Sequence, residues 1–148
     1  MWTASPKSLP TTISKTLDIN GFDTVLLVQL FSDRIWLSVS QYGGKIGTLL
    51  QCSIDESIID GSTTYEISTL LGKRDDTLLE VYIRQLAERI LRLGPKQHSS
   101  SSFPSSCPPI LLGIAIQDRD SNTFHFILQT LLQMYMQGIQ SISSSTST

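Results

Sequence analysis

Apolar and polar positions follow the pattern of β-strands over the first half of the chain. Residues 24–31 (TVLLVQLF) are almost continuously apolar, whereas residues 35–41 (IWLSVSQ) alternate with a period of two. Weaker strand patterns occupy residues 11–18, 48–54 and 63–69, and turns rich in Gly, Asn and Asp separate them. The first half therefore predicts an antiparallel meander of four or five strands.

The pattern changes to the helical period after residue 76. Between Thr77 and Leu93, apolar residues recur every three or four positions, and either Asp75 or Asp76 can cap the helix at its start. The opposite side of this helix carries charges at i, i+4 spacing, namely Glu80, Arg84, Glu88 and Arg92. This alternation of charge is typical of a helix face in contact with water.

A further strand and a second amphipathic helix complete the pattern. Residues 109–117 (PILLGIAIQ) are apolar, and residues 118–122 (DRDSN) supply polar side chains that cap a helix. The helix is predicted to end near Gly138. The order meander, helix, strand, helix indicates an α+β fold, with both helices on one face of an antiparallel sheet.

Three stretches of the chain lack a periodic pattern. Residues 1–10 are polar with two prolines, residues 95–108 form a Ser/Pro-rich run, and residues 139–148 are mostly Ser and Thr. Such compositions bury too little apolar surface to fold. We therefore expect a single domain over residues 11–138, with a disordered N-terminus, a Ser/Pro-rich loop at 95–108 and a disordered tail at 139–148.

Two of the predicted strands, 24–31 and 109–117, are apolar on both faces. An antiparallel sheet with one face in water should instead alternate. Two helices can cover only one face of the sheet, and the sequence predicts no third helix. We therefore expect a dimer that forms through the other face of the sheet or through its edge.

Composition excludes several classes of function. The 148 residues carry 11 basic and 13 acidic side chains, a net charge of −2, and no segment concentrates Lys or Arg. We therefore expect no nucleic-acid partner. The apolar runs are far shorter than a membrane span, and the two cysteines are too far apart to suggest a disulfide framework. We expect an intracellular soluble protein without a membrane partner, located in the cytoplasm and, as a second compartment, in the nucleus.

The sequence indicates no active site. The segment 43–48 (GGKIGT) departs from the phosphate-binding loop pattern and joins two strands rather than opening a helix. Neither His98 nor His125 has metal-ligand spacing to other His, Cys or carboxylate residues, and neither Cys52 nor Cys107 lies in a nucleophile motif. We therefore predict no catalytic residue, no cofactor site, no metal site and no enzymatic activity.

Three groups of polar residues are candidates for binding a partner protein. Tyr42 and Lys45 project from the glycine-rich turn, and Lys73 and Arg74 lie in the mixed-charge segment before the first helix. An ordinary turn and an ordinary helix cap explain these residues equally well. The third group is the uncharged helix stripe that contains Gln129 and Gln133, for which a solvated face is the simpler interpretation.

Three short motifs follow one another along the chain in a fixed order. They are Gln41–Leu49 (QYGGKIGTL), Leu70–Asp76 (LLGKRDD) followed by Arg84–Leu86 (RQL), and Leu111–Asp118 (LLGIAIQD). In turn, they resemble the strand–turn–strand motif, the junction between a strand and the first helix, and the last strand of the proteasome assembly chaperone 3 family. The first motif has one extra residue in the turn. The resemblance spans about residues 12–137, although the Ser/Pro run is longer than usual and the start of the second helix is closer to the paralogous chaperone 4.

The resemblance implies a non-catalytic function in assembly of the 20S proteasome core particle. A member of this family forms a heterodimer with proteasome assembly chaperone 4, binds alpha-type subunits and promotes formation of the alpha-ring. The alternative from another class is a longin- or roadblock-like dimeric scaffold in trafficking or GTPase regulation. The order of elements favours the chaperone, because a roadblock unit opens with a helix whereas this chain opens with a meander.

Overall fold

The computed structural model describes residues 11–57, 59–74, 76–93 and 108–145. These residues form six strands and two helices, and the predicted α+β class with two helices is confirmed. The predicted N-terminal segment 1–10 and all but the last residue of the predicted loop 95–108 lie outside the described residues. The elements are β1 (Thr11–Ile19), β2 (Phe22–Leu30), β3 (Ile35–Ser40), β4 (Thr48–Glu56), β5 (Thr63–Leu71), α1 (Thr77–Leu93), β6 (Ile110–Ala115) and α2 (Ser121–Ser145).

The strands form one sheet in the order β1-β2-β3-β6-β4-β5. β6 lies between β3 and β4, parallel to β3 and antiparallel to β4, so the sheet is not an uninterrupted antiparallel meander. A central strand has neighbours on both sides and suits an apolar sequence such as that of β6. Because β6 separates β3 from β4, the loop that joins them must cross the end of β6.

One face of the sheet is covered by both helices, as predicted. α2 contacts β1 and β2, α1 contacts β4, β5 and β6, and the two helices contact each other. The register places a continuous row of apolar side chains across this face. The four inner members of the row are completely or almost completely buried, and the row consists of Ile13, Val28, Leu37, Leu112 and Leu50. Burial of each such side chain contributes about 1.5–3 kcal/mol, so this face holds the core.

α2 continues to Ser145, beyond the end predicted near Gly138. A Cβ atom at Gly138 would lie 2.8 Å from Leu30 Cδ1, so this glycine allows the helix to approach β2 closely and does not terminate it. The next residue, Ile139, packs against the core. Residues 139–145 of the predicted disordered tail are therefore helical, and residues 146–148 lie outside the described residues.

The second face of the sheet carries partly exposed apolar side chains, and we call it the open face. Register assigns Leu27, Trp36, Leu49 and Leu111 to this face, and each of them is partly exposed. Trp36 lies over Gly113, since a Cβ atom at that glycine would be 3.5 Å from the indole ring. The apolar character on both faces of β2 and β6, predicted from the sequence, is thus present in the structure.

Candidate partner-binding surfaces

Four connections meet at one end of the sheet, which we call the loop end. They are the β1–β2 turn at 20–21, the β3–β4 loop at 41–47, the β5–α1 loop at 72–76 and the β6–α2 loop at 116–120. Hydrogen bonds join the first to the last, because Asn20 Nδ2 donates to Asp118 Oδ2 at 3.2 Å and to Thr123 Oγ1 at 2.9 Å. The loop end is therefore a continuous surface rather than a set of independent turns.

Gln41 holds the β3–β4 loop to the β6–α2 loop from a buried position. Its Oε1 accepts hydrogen bonds from the backbone N–H groups of Gln117 at 2.6 Å and Asp118 at 3.0 Å. Its Nε2 donates to Thr24 Oγ1, and the side chain of Gln117 donates to the Gln41 carbonyl oxygen at 2.9 Å. Gln41 is not among the site residues expected from the sequence, although a polar residue in phase with buried strand positions is a signal of such a network.

An ion pair joins the β6–α2 loop to the start of α1. Arg119 Nη2 donates to Asp76 Oδ2 at 2.6 Å, and the Asp76 side chain is largely enclosed. Of the two aspartates predicted to cap α1, Asp76 is the one within the described residues, and its carbonyl oxygen accepts from Glu80 N–H. The hydrogen bond from Arg119 holds the pKa of Asp76 below its ordinary value. The ion pair between ionised Asp76 and Arg119 therefore stabilises the folded state. This stabilisation is fully present above the pKa that Asp76 has in the unfolded state, and it is lost as the pH falls through the pKa of Asp76 in the folded state.

The predicted partner-binding residues Tyr42 and Lys45 line a cavity under the β3–β4 loop. The cavity measures about 320 Å³ and opens at the loop end. Tyr42 is half exposed, and the same loop places Ile46, which is 47% exposed, at the cavity wall. Ser40 Oγ accepts hydrogen bonds from the N–H groups of Gly44 and Tyr42, so the loop has a defined path.

Lys73 and Arg74 are exposed in the β5–α1 loop, which packs beside the β3–β4 loop. The contact is made at Gly72, where a Cβ atom would lie 2.9 Å from both Gly47 O and Thr48 Cα. The structure thus brings Tyr42, Lys45, Lys73 and Arg74 to one end of the sheet, although the sequence suggested two unrelated groups. Whether these residues bind a partner stays a prediction.

Gln129 and Gln133 are exposed on the outer side of α2, away from the loops. They share this side with Phe126, which is half exposed. α2 contains no Asp, Glu, Lys or Arg over its whole length. A partner on this surface would be held by neutral hydrogen bonds and apolar contact, without long-range electrostatic attraction.

Within the described part of the chain, no group of three or more His, Cys, Asp or Glu side chains is placed to hold a metal ion. His125 lies on the exposed side of α2. No described helix combines the length and apolar content needed to span a membrane.

The family model for proteasome assembly chaperone 3 matches residues 37–134. The chain belongs to the proteasome assembly chaperone 3 family. This range contains the β3–β4 loop, the β5–α1 loop, β6, most of β3 and residues 121–134 of α2. The family is one of non-catalytic chaperones of proteasome assembly, so the prediction that the protein is not an enzyme is confirmed.

A solved structure of an assembly chaperone complex has a fold similar to that of this proteasome assembly chaperone 3 family member. It is a chain of the crystal structure described as a novel chaperone complex for yeast 20S proteasome assembly. The two chains have a TM-score of 0.61 and 18% sequence identity, and the similarity covers 86% of this chain and 99% of the yeast chain. No curated protein matches the chain in sequence.

In this family member, Gln41→Ala is expected to destabilise the fold by about 2–6 kcal/mol. The substitution leaves the Gln117 and Asp118 N–H groups without their acceptor in a part-buried position, and each unsatisfied donor costs about 1–3 kcal/mol. Urea unfolding followed by circular dichroism measures the change. Gln129→Ala, at an exposed helix position, is the control and should stay within about 0.5 kcal/mol of the wild type. Equal stability of the two variants would contradict a structural role for Gln41.

Proposed function

We propose that this protein promotes assembly of the 20S proteasome as a heterodimer with proteasome assembly chaperone 4. In this proposal the heterodimer binds alpha-type subunits and promotes formation of the alpha-ring. The observation that carries it is a sheet that the described residues cover on one face only, in a chain that belongs to the chaperone 3 family. The family match favours this function over the longin- or roadblock-like scaffold. We propose the cytoplasm and the nucleus as the compartments.

The open face is the surface we assign to the heterodimer. Leu27, Trp36, Leu49 and Leu111 are partly exposed there, and polar neighbours such as Ser38 and Gln51 share the same rows of the sheet. A large apolar patch rimmed by polar side chains is typical of an association site. Face-to-face packing of two sheets at about 10 Å would remove these side chains from water.

The loop end is the surface we assign to the alpha-type subunit. It carries exposed Tyr42, Lys45, Lys73 and Arg74 and lies at one end of the sheet, so much of it stays accessible when the open face is covered. A client that must later be released favours a modest, partly polar contact over a large apolar one. The exposed side of α2 with Gln129 and Gln133 is the second candidate for this contact.

Purification of the tagged protein from cells that are assembling proteasomes tests the proposed function. We expect chaperone 4 and alpha-type subunits to co-purify, without the beta-type subunits of the finished particle. A matched purification of the Leu27→Asp variant should lose chaperone 4. Recovery of complete core particles, or of GTPases and trafficking proteins instead of alpha-type subunits, would contradict the proposal.

A further inference from the structure

The cavity under the β3–β4 loop follows from the strand order. Since β6 lies between β3 and β4, the loop at 41–47 passes over the end of β6. Gly47 makes the crossing tight, because a Cβ atom there would lie 2.9 Å from Ile114 O and 3.1 Å from Ala115 Cβ. The cavity lies between this loop, Leu79 near the start of α1, and Ile116 and Arg119 of the β6–α2 loop, all of which line it.

The cavity has an apolar wall and a cationic mouth. Its apolar lining consists of Ile46, Leu79, Ile114, Ala115 and Ile116. Among the residues that the structure describes, two charged side chains line it, Lys45 and Arg119, and both are cationic. Tyr42 adds an aromatic ring with a hydroxyl group at the rim. Such a lining is complementary to a ligand that has an apolar body and a negative charge.

Lys45 and Arg119 differ in how many of their N–H donors are available to bind a negatively charged ligand. The Lys45 side chain makes no hydrogen bond or ion pair with the residues that the structure describes, whereas Arg119 uses Nη2 to bind Asp76. A guanidinium group has five N–H donors, and the Arg119 side chain is 52% exposed. Arg119 can therefore hold Asp76 and a second carboxylate at once, with its position fixed by the first.

The size and the open side of the cavity suit a single anchoring side chain of a peptide. A volume of about 320 Å³ is at the small end of the range of about 300–1,000 Å³ that is typical of small-molecule sites, and this cavity is open on one side. One bulky side chain and its neighbouring residue fill such a space. Anchor side chains in small pockets carry much of the affinity of protein–protein contacts.

We propose that this cavity binds a peptide segment of the alpha-type client in which a bulky apolar side chain is followed directly by a carboxylate. The apolar side chain packs against Ile46, Leu79 and Ile116, and the carboxylate binds Lys45 and Arg119. The identity of the client rests on the proposed function, whereas the chemistry of the cavity rests on its lining. The test therefore has two independent arms.

The first arm tests which defined peptides bind in the cavity. The probe is acetyl-Gly-Phe-Glu-Gly-amide at millimolar concentration, added to the ¹⁵N-labelled chain in its heterodimer. We expect amide NMR shifts at Gly43, Lys45 and Gly47. Peptides with Gln in place of Glu, or Ser in place of Phe, should produce much smaller shifts. Equal shifts from all three peptides, or none from the first, would overturn the cavity chemistry.

The second arm measures the affinity of the heterodimer for recombinant alpha-type subunits. Lys45→Glu should raise Kd more than tenfold, whereas Lys45→Arg should preserve it. The control is Lys15→Glu, the same charge change at an exposed position of β1, and it should alter Kd less than twofold. Affinity should fall between about 0.05 and 0.5 M NaCl for the wild type, and less steeply for Lys45→Gln. Size-exclusion chromatography should show intact heterodimer for each variant.

The outcomes separate the two proposals. Unchanged Kd in Lys45→Glu, or loss of the heterodimer in that variant, would overturn the assignment of the cavity to the client. If no alpha-type subunit binds the wild-type heterodimer while the acidic peptide still binds the cavity, the proposed function is wrong and the cavity chemistry stands. Client binding without any peptide response would support the function and overturn the cavity.

Discussion

Leu26→Asp is expected to leave the chain unfolded. Leu26 is completely buried on the helix-covered face of β2, where it is paired with Val39. Loss of the leucine contacts costs about 2–5 kcal/mol, and burial of a carboxylate without a partner adds several more. The sum is comparable to the whole stability of a domain, about 5–15 kcal/mol. Circular dichroism and the loss of a cooperative thermal transition measure the result.

The adjacent substitution, Leu27→Asp, is the matched control and should have a different effect. Leu27 points to the open face and is partly exposed, so an aspartate there keeps contact with water in the monomer. We expect a folded chain that fails to form the proposed heterodimer, since pairing would bury the new charge. Light scattering after size-exclusion chromatography distinguishes the species. Normal pairing of Leu27→Asp would exclude the open face as the dimer surface, and unfolding of both variants would show that β2 tolerates no charge on either side.

The sequence indicates that β2 is apolar on both faces, but it cannot tell which of Leu26 and Leu27 faces the helices. In a strand with alternating polarity, the polar positions identify the face that contacts solvent. Residues 25–28 of β2 are all apolar, so they do not identify that face. The face is decided by the register with β1 and β3 and by contact with α2, which are long-range contacts. The sequence therefore predicts that the second face of the sheet must also be covered. Only the structure shows which side chains lie on that face.

The elements were predicted better than their arrangement. The helix predicted at 77–93 has those bounds in the structure, because its cap and its apolar spacing are local signals. The insertion of β6 between β3 and β4 has no local signal beyond the apolar character of residues 109–117, since strand order depends on pairing across the chain. The end of α2 was missed because Gly138 is a common terminator in sequence, whereas here it serves close packing against Leu30.

The loop end shows the same division between local and long-range information. Tyr42 and Lys45 could be singled out as projecting residues of a glycine-rich turn. Arg119 was not, since a single arginine between two aspartates suggests only a polar turn. Its role arises because the β6–α2 loop and the start of α1 are neighbours in space, which brings Arg119 to Asp76 and to the cavity.

Gly72→Ala is expected to destabilise the protein by about 2–5 kcal/mol. Gly72 has φ of +98°, a left-handed conformation that costs an L-residue about 1–2 kcal/mol. In addition, the new Cβ would lie 2.9 Å from Gly47 O, Thr48 Cα and Thr48 Oγ1. The first two are backbone atoms that cannot rotate away, and overpacking of this kind costs about 1–3 kcal/mol. The β5–α1 and β3–β4 loops must therefore separate, which disturbs the cavity as well as the fold.

Gly61→Ala is the control that separates backbone strain from the loop contact. Gly61 also has a positive φ, +72°, but a Cβ there meets no atom within 4 Å. It should cost only the conformational strain of about 1–2 kcal/mol. In the proposed heterodimer, this variant should bind alpha-type subunits as the wild type does. Thermal unfolding of both variants, with client affinity as a second measurement, tests the difference. If Gly72→Ala is as stable as Gly61→Ala, backbone strain alone accounts for the loss of stability. That result would contradict packing of the β5–α1 loop against the β3–β4 loop.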